Sequence, residues 1–244
     1  MRNLNLKEDA LLVVSSFDRP NIFLASEAQA PMSELIKLLQ KDQPTLIYSN
    51  TQKEVQSLCD CIRRERKEFS VDFYHAGRSD AERESVQRRF QEDQLDIVCA
   101  TVAFGMGIDK PNIRCVYHWG SPKSMETYYQ QAGRAGRDGK QSKCVCFFNA
   151  SSASLQSFYL AKDASTNQQR EHTAAMLSTV KQYCQTDSCR RKFICNYFGE
   201  DVPDKCSNCD ICTSSPAPKA DFGADICSLV QVLVEINEKV LPLC

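Results

Sequence analysis

The chain has 244 residues, 42% hydrophobic and 25% charged, which is the composition of a globular protein longer than one average domain. Its formal net charge is −1, so a nucleic-acid site would have to be a local basic patch rather than a global positive field. No run approaches the roughly eighteen apolar residues of a membrane span, and no signal-peptide pattern opens the chain. These features predict a soluble intracellular protein with no membrane partner.

Apolar runs of strand character alternate with helical segments from residue 21 to residue 150. Strands separated by helices of about 10–15 residues predict parallel β-α-β units, with a sheet covered on both faces. The predicted fold class is therefore α/β over residues 21–150, with a parallel sheet, after an extended lead-in over residues 1–20. The predicted strands are 45–50, 71–75, 95–101, 113–119 and 143–149, and the first predicted helix is 33–41.

Hydroxyl residues mark the expected helix starts. Two of them, Thr51 and Ser79, are each followed three positions later by a glutamate, which is the capping-box pattern. Ser121 followed by Pro122 also predicts a helix start, because proline is favoured in the first turn.

The strand pattern stops after residue 150. Residues 151–163 and 171–198 are predicted helices, and a turn-rich, cysteine-rich segment follows them. Residues 151–213 are therefore expected to form a second, small helical unit. Residues 214–244 are expected to be a linker and the start of a truncated third domain.

Fourteen cysteines are many for this length, and several lie inside strand-like runs, where free cysteine acts as a small buried hydrophobe. This placement favours a reducing compartment over a disulfide framework. Cys206, Cys209 and Cys212 have C-x₂-C-x₂-C spacing, which indicates a metal site. A bacterial-type iron–sulfur run would place a cysteine at 216, where the chain has Pro216.

A closed zinc site needs four ligands, so one more must come from upstream. Spacing alone leaves Cys184, Cys189 and Cys195 open as candidates. His118 and His172 lack partners at ligand spacing and are predicted to be structural.

The stretch QAGRAGRDGK, residues 131–140, suggests a phosphate-gripping loop. It is not a Walker A loop, because Gln141 follows Lys140 where a serine or threonine is required, and the chain contains no D-E-x-D or D-E-x-H box. Arg134 and Arg137 are spaced to share one helical face or turn, and the glycines would let backbone approach a ligand. The alternative is a surface turn with two solvated arginines.

Five segments in order carry a resemblance that runs from about residue 15 to residue 226. YYQQAGRAGRDG resembles motif VI of superfamily-two helicases, specifically of the RecQ family, and DIVCATVAFGMGIDKPN is similar to motif V. TLIYSNT resembles motif IV, FYHAG the segment after it, and SFDRPN the join between the two RecA-like lobes. The resemblance implies a RecA-like helicase C-terminal lobe followed by a small helical zinc-binding subdomain.

In that family the nucleotide lies between two lobes, and the first lobe supplies the P-loop and the magnesium carboxylates. The resemblance implies that Arg137, with Arg134 beside it, acts as an arginine finger, a group that can be worth roughly 10³–10⁵ in rate. It implies a coupling role for Gln130, and a contact of Asp109 with the ribose or the partner lobe. ATP and Mg²⁺ are expected only together with a first lobe.

The resemblance also implies that one nucleic-acid strand runs along the lobe, contacted through phosphates and sugars. The implied residues follow three strand ends: Ser49, Asn50, His75, Gly77 and Thr101. Ligands favour the carboxyl ends of parallel strands. Residues 101–143 carry seven Lys/Arg against three Asp/Glu, a modest positive bias.

For the metal site, DSCRRKFICNYFGE looks like the helix of the RecQ zinc subdomain in which the cysteine before two arginines is the first ligand. This resemblance selects Cys189, to act with Cys206, Cys209 and Cys212, and leaves Cys184 and Cys195 as ordinary thiols. The implied Zn²⁺ is structural, because four thiolates leave no position for catalytic water.

The chain is thus identified as the C-terminal part of a RecQ-type, ATP-dependent 3′→5′ DNA helicase, acting on single strands and junctions in repair, recombination or replication. In a eukaryote the expected compartment is the nucleus, and residues 214–244 would begin a winged helix. Alone, the chain is expected not to hydrolyse ATP. The alternatives are a motor-less, zinc-stabilised DNA-binding or regulatory module and an RNA helicase of the same superfamily.

Overall fold

The computed structural model describes residues 16–105, 108–150 and 166–214. Within these ranges six strands form one sheet of order β1-β6-β5-β2-β4-β3, and every neighbouring pair is parallel. The predicted α/β class with a parallel sheet is confirmed. The strands are β1 (Ile22–Ala28), β2 (Thr45–Ser49), β3 (Val71–Tyr74), β4 (Ile97–Ala100), β5 (Cys115–Trp119) and β6 (Ser142–Phe148).

Successive strand residues point to opposite sides of the sheet. Both faces therefore carry apolar side chains, and helices cover both. Leu46 belongs to one buried apolar cluster and its neighbour Ile47 to the other. The helices around the sheet are α1 (Met32–Lys37), α2 (Gln52–Glu65), α3 (Asp80–Gln91) and α4 (Met125–Ala132). None of the helices that the structure describes is both long and apolar enough to cross a bilayer.

The helix starts follow the hydroxyl residues, with one correction. Ser79 forms a complete capping box, and the Thr51 hydroxyl accepts the N–H of Glu54. Helix α4 does not open at Ser121-Pro122 as predicted. It begins at Met125, because the Ser124 hydroxyl accepts the backbone N–H of Thr127 and caps the first turn.

Helix α1 is shorter than the predicted 33–41. It ends at Lys37, since the N–H groups of Leu38 and Leu39 bond only three residues back, to Leu35 and Ile36. Residues that close a helix with such tight bonds do not extend it.

The segment after residue 165 is helical but interrupted. The predicted helix 171–198 is two helices, α5 (Asn167–Gln185) and α6 (Arg190–Tyr197), followed by the short α7 (Asp210–Thr213). Thr186 is extended at the break, with φ −65° and ψ 142°. The predictions made for residues 1–15, 151–163 and 215–244 lie outside the described residues. Thr213 ends the compact unit that contains the sheet, so α5 to α7 pack with the sheet rather than apart from it.

Candidate functional site

The five residues that sequence reasoning assigned to nucleic acid lie along one edge of the sheet. Ser49 ends β2 and Asn50 follows it, Thr101 follows β4, and His75 and Gly77 follow β3. Because β2, β4 and β3 are neighbours in the sheet and all parallel, their carboxyl ends meet at this edge. The sheet topology therefore brings the five residues to one side of the molecule.

Several of these side chains are already occupied within the chain. The Ser49 hydroxyl donates to the Glu54 carboxylate at 2.8 Å, and the Asn50 amide donates to the Ser121 carbonyl at 3.0 Å. The Thr101 hydroxyl accepts the N–H of Ala103 at 3.4 Å. These contacts organise the strand ends.

His75 is buried at 3% exposure, and its Nδ1 accepts the N–H of Gly77 at 3.1 Å. Its Nε2 lies 3.0 Å from the Gln56 side-chain amide. Burial, with help from the Arg78 charge, lowers the pKa of His75, so the ring is neutral near pH 7. His75 therefore shapes the turn after β3 instead of supplying positive charge.

Ion pairs neutralise part of the positive charge in residues 101–143. Arg114 pairs with Asp138 at 2.6 Å, and the buried Lys110 pairs with Asp93. Lys123 is exposed and has no ion-pair partner among the described residues. It borders the small cleft between the ends of β2 and β5, together with Asn50, Val102, Gly120 and Thr127.

The two arginines of the glycine-rich loop do not share one face, and this prediction is wrong. The helix that would hold them in register ends at Ala132. Arg134 is buried at 4% exposure, whereas Arg137 is exposed. The loop after Ala132 therefore sends its two guanidiniums into different surroundings.

Arg134 packs inside the domain. Its positive charge acts on the Tyr48 hydroxyl, which donates to the Phe104 carbonyl at 3.0 Å. A Cβ on Gly105 would lie 2.9 Å from Arg134 Nη2, so the segment after β4 packs directly on this guanidinium. Burial raises the pKa of Tyr48 to about 12, against the opposing charges of both arginines, so its hydroxyl stays protonated.

Arg137 lies at the surface and pairs with Asp109. Its Nη1 is 2.7 Å from Asp109 Oδ1 and 2.9 Å from the Ile108 carbonyl oxygen. The Asp109 side chain is 88% exposed, so the pair is open to solvent and can be exchanged for another anion. Arg137 and Asp109, both predicted to act at the nucleotide, are thus in contact. Gln130, which was also assigned there, is exposed on α4.

The glycine at the centre of this loop packs against the chain itself. Gly136 has φ +55°, and a Cβ there would lie 2.4 Å from Asn21 Nδ2 and 2.7 Å from the Lys140 carbonyl oxygen. The close approach that Gly136 permits is made by the chain's own Asn21.

Four cysteines meet beside α6. The Sγ atoms of Cys189, Cys206, Cys209 and Cys212 all lie within 4.8 Å of one another. Tetrahedral zinc with Zn–S bonds of about 2.3 Å needs S···S separations of about 3.8 Å, so this donor set fits a closed structural zinc site. Cys184 and Cys195 lie outside the cluster, and burial raises the pKa of Cys195 to about 11.

The environment of Cys189 favours its thiolate, whereas burial raises the pKa of its neighbours Cys206 and Cys212. Burial opposes the ionisation of Cys189, but the backbone N–H groups of Lys192 and Arg191 and the neighbouring thiols outweigh it. The pKa of Cys189 is therefore lowered. The N–H of Cys206 also donates to Cys212 Sγ, at 3.4 Å.

Two arginines that sequence reasoning left without a role connect this cluster to the sheet. Arg190 Nε donates to Asp210 at 2.6 Å, and the other carboxylate oxygen of Asp210 accepts the N–H of Ser26 in β1 at 3.0 Å. Arg191 pairs with Asp18 and donates to the Ile22 carbonyl at 3.0 Å. Both arginines are buried, a placement that a pair of adjacent charged residues does not reveal in a single sequence.

Two protein-family models match the chain. Residues 30–139 match the family model of the helicase conserved C-terminal domain, and residues 151–213 match that of the RecQ zinc-binding domain. The ATP-dependent DNA helicase RecQ of Pasteurella multocida is 40% identical over 220 residues, which cover 88% of this chain and 34% of that protein. The protein of the same name from Haemophilus influenzae is 41% identical, over 88% of this chain and 35% of that protein.

The ATP-dependent helicase SGS1 of Saccharomyces cerevisiae is 36% identical over 224 residues, which cover 88% of this chain and 15% of that protein. The chain thus spans about a third of the length of the two bacterial relatives. The two matched domains come in the same order along the chain as the sheet and the cysteine cluster. The chain belongs to the RecQ helicase family, as a C-terminal region made of the second RecA-like lobe and the zinc-binding domain.

Proposed function

We propose that this chain is the arginine-donating half of an ATP-dependent 3′→5′ DNA helicase motor, used in DNA repair, recombination or replication. The carrying observation is the exposed Arg137, whose ion-pair partner Asp109, at 2.7 Å, is open to solvent and which also donates to the Ile108 carbonyl. A cation in this position can leave its carboxylate for a phosphate, because an exposed ion pair is worth only about 0–1 kcal/mol.

The two arginines have separate tasks in this proposal. Bound between two lobes, ATP with Mg²⁺ supplies a phosphoryl group whose developing charge must be neutralised. Arg137 reaches that charge when the lobes close, and Asp109 keeps its guanidinium extended until then. Arg134 acts through its packing, since it fixes the segment after β4 through Tyr48 and Gly105.

The carboxyl edge of β2, β4 and β3 is the proposed path of a DNA strand, single or at a junction. Asn50, Gly77 and Thr101 supply neutral groups suited to sugar and phosphate contacts, which position a strand without reading its sequence. Lys123, which has no ion-pair partner among the described residues, borders the cleft at this edge and supplies positive charge there. Sequence-indifferent and salt-sensitive binding follows from such contacts.

The cysteine cluster is the proposed site of a structural Zn²⁺. Cys189, Cys206, Cys209 and Cys212 would hold it, and the ion supplies folding energy to a region with a small core of its own. The twelve described cysteines are all free thiols, which supports the reducing compartment that we propose, the nucleus in a eukaryotic cell.

The test is reconstitution of the motor from two pieces. A first-lobe segment with a Walker A loop and a D-E-x-H box, from a RecQ relative, is mixed with this chain. We expect DNA-stimulated ATP hydrolysis from the mixture and none from either piece alone. Replacing the Walker A lysine of the added lobe gives the matched control, which should be inactive.

Three outcomes would overturn the proposal. Hydrolysis by this chain alone would show a nucleotide site that needs no partner lobe. Nucleotide-independent DNA binding with no hydrolysis in the mixture would favour the motor-less DNA-binding module instead. A preference for RNA over DNA of the same sequence would move the chain to the RNA helicases.

A further inference from the structure

The lead-in segment, residues 16–21, holds the backbone of the glycine–arginine loop. Arg19 Nη1 donates to the carbonyl of Gly133 at 3.1 Å, and Nη2 donates to those of Ala135 at 3.1 Å and Gly136 at 3.2 Å. These carbonyls follow the last residue of α4, where a helix leaves backbone acceptors unpaired and its dipole favours a cation. Arg19 therefore caps α4 from more than a hundred residues away in the chain.

Asn21 hydrogen bonds to the other end of the same loop. Its side-chain amide donates to the carbonyls of Gly136 at 2.8 Å and Lys140 at 2.9 Å. Its own carbonyl accepts the N–H of Ser142, where β6 begins. Four carbonyl oxygens of the loop are thus bound by two side chains of the lead-in segment, while Arg134 and Arg137 project to Tyr48 and Asp109.

The other end of the lead-in segment is fixed to the helix that follows the first zinc-ligand cysteine. Asp18 pairs with the buried Arg191, and the N–H of Phe17 donates to Glu200 at 2.6 Å. The Phe17 ring stacks on Phe198 with centroids 4.7 Å apart and an interplanar angle of 11°. The segment therefore bridges α6 and the loop with polar contacts at both ends.

We propose that Arg19 and Asn21 are positioning residues that set the loop conformation from which Arg137 is presented, with Asp18 as their anchor on the zinc-binding region. The catalytic part of this inference rests on the proposed function. The structural part does not, because it concerns the loop of the chain by itself.

The first experiment is limited trypsin digestion of the purified chain, with cleavage after Arg134 and Arg137 followed by mass spectrometry. We expect Arg19→Ala and Asn21→Asp each to raise the cleavage rate in this loop roughly tenfold or more, because lost hydrogen bonds favour local opening. Arg19 precedes proline, so its removal does not delete a normal trypsin site. The isosteric Asn21→Asp loses both donors at constant volume.

Arg64→Ala is the matched control, because Arg64 is 73% exposed on α2 and its polar contacts stay within that helix. It should leave cleavage in the loop unchanged. Asp18→Asn should give a smaller increase than Arg19→Ala. Zinc content and unfolding temperature, measured in parallel, show whether each variant is folded.

Folded Arg19→Ala and Asn21→Asp proteins with wild-type loop cleavage would overturn the inference, whatever the ATPase result. In the two-piece motor, both variants should lower kcat while the KM for ATP stays within about threefold, and Arg19→Lys should recover part of the loss. Faster loop cleavage with unchanged kcat would overturn the catalytic part alone. An inactive wild-type mixture would count against the proposed function and leave the digestion result standing.

Discussion

The cysteine cluster and the glycine–arginine loop are both small sites rich in chemically active side chains, but they are completed in different ways. The four cysteine sulfurs of the cluster lie within 4.8 Å of one another, so the chain itself closes that site. The loop instead places Arg137 at the surface with one exposed partner. A site that stabilises a fold can be closed within one chain, whereas the nucleotide site that we propose must keep a group free.

The largest effect should come from removing one ligand of the cysteine cluster. Cys209→Ser should reduce bound zinc from one equivalent to almost none and lower the unfolding temperature by about 10 °C or more, because metal binding contributes folding energy. Metal analysis and thermal unfolding measure both. Cys195→Ala, on the helix that follows Cys189 but outside the cluster, should keep its zinc, and equal zinc loss in both variants would refute the assignment.

Substitutions in the glycine–arginine loop should lower stability most where the lead-in segment contacts the loop. Gly136→Ala combines a positive φ with contacts of 2.4 Å to Asn21 and 2.7 Å to Lys140, so we expect a loss of about 3 kcal/mol in unfolding free energy. Gly139→Ala has φ +78° but meets nothing within 4 Å, and should lose only about 1 kcal/mol. Chemical denaturation of both variants measures the difference, and equal losses would contradict the close approach of Asn21.

Acid should weaken the sheet through His118, which is buried against Gln131. Burial lowers the pKa of His118 to about 4, below its unfolded value of about 6.5, so the unfolded state binds more protons between these values. Stability should therefore fall as the pH drops from about 6.5 toward 4, by at most about 1.4 kcal/mol per pH unit. His118→Asn should show a shallower slope in denaturation at each pH, and parallel slopes would contradict the cause.

The smallest expected effect lies at the carboxyl edge. Lys123→Ala should weaken single-strand DNA binding a few-fold and reduce the slope of log K against log salt by about 0.7, because one phosphate contact is lost. Fluorescence anisotropy across a salt series gives both values. Lys37→Ala, an exposed lysine on α1 paired with Glu34, is the control and should change neither. An unchanged slope for Lys123→Ala would remove this residue from the DNA path.

Local signals in the sequence were sufficient for much of the fold. The strand pattern placed β2 to β6, and Ser79 and Thr51 marked two helix starts, because both features depend on neighbours within four residues. The start of α4 was misplaced because Pro122 suits a first turn, and only the structure shows that the Ser124 hydroxyl takes the cap.

The sites were less accessible to sequence reasoning, for a physical reason. Spacing alone left three candidates for the fourth ligand, and resemblance selected Cys189, whose sulfur lies in the cluster. The grip of Arg19 and Asn21 on the loop was missed because their partners lie more than a hundred residues away. A three-residue spacing puts two side chains on one face only where the helix continues. Helix α4 ends at Ala132, before both arginines, so the separation of Arg134 from Arg137 was missed.

The central claim is that Arg137 completes a nucleotide site whose other half lies on a different lobe. Its most direct test is the kcat for ATP in the mixture of this chain with a P-loop lobe, for wild type, Arg137→Ala and Arg64→Ala. We expect Arg137→Ala to lower kcat by about 10³-fold or more without changing the unfolding temperature, and Arg64→Ala to match wild type. A folded Arg137→Ala chain that sustains wild-type turnover would contradict the account.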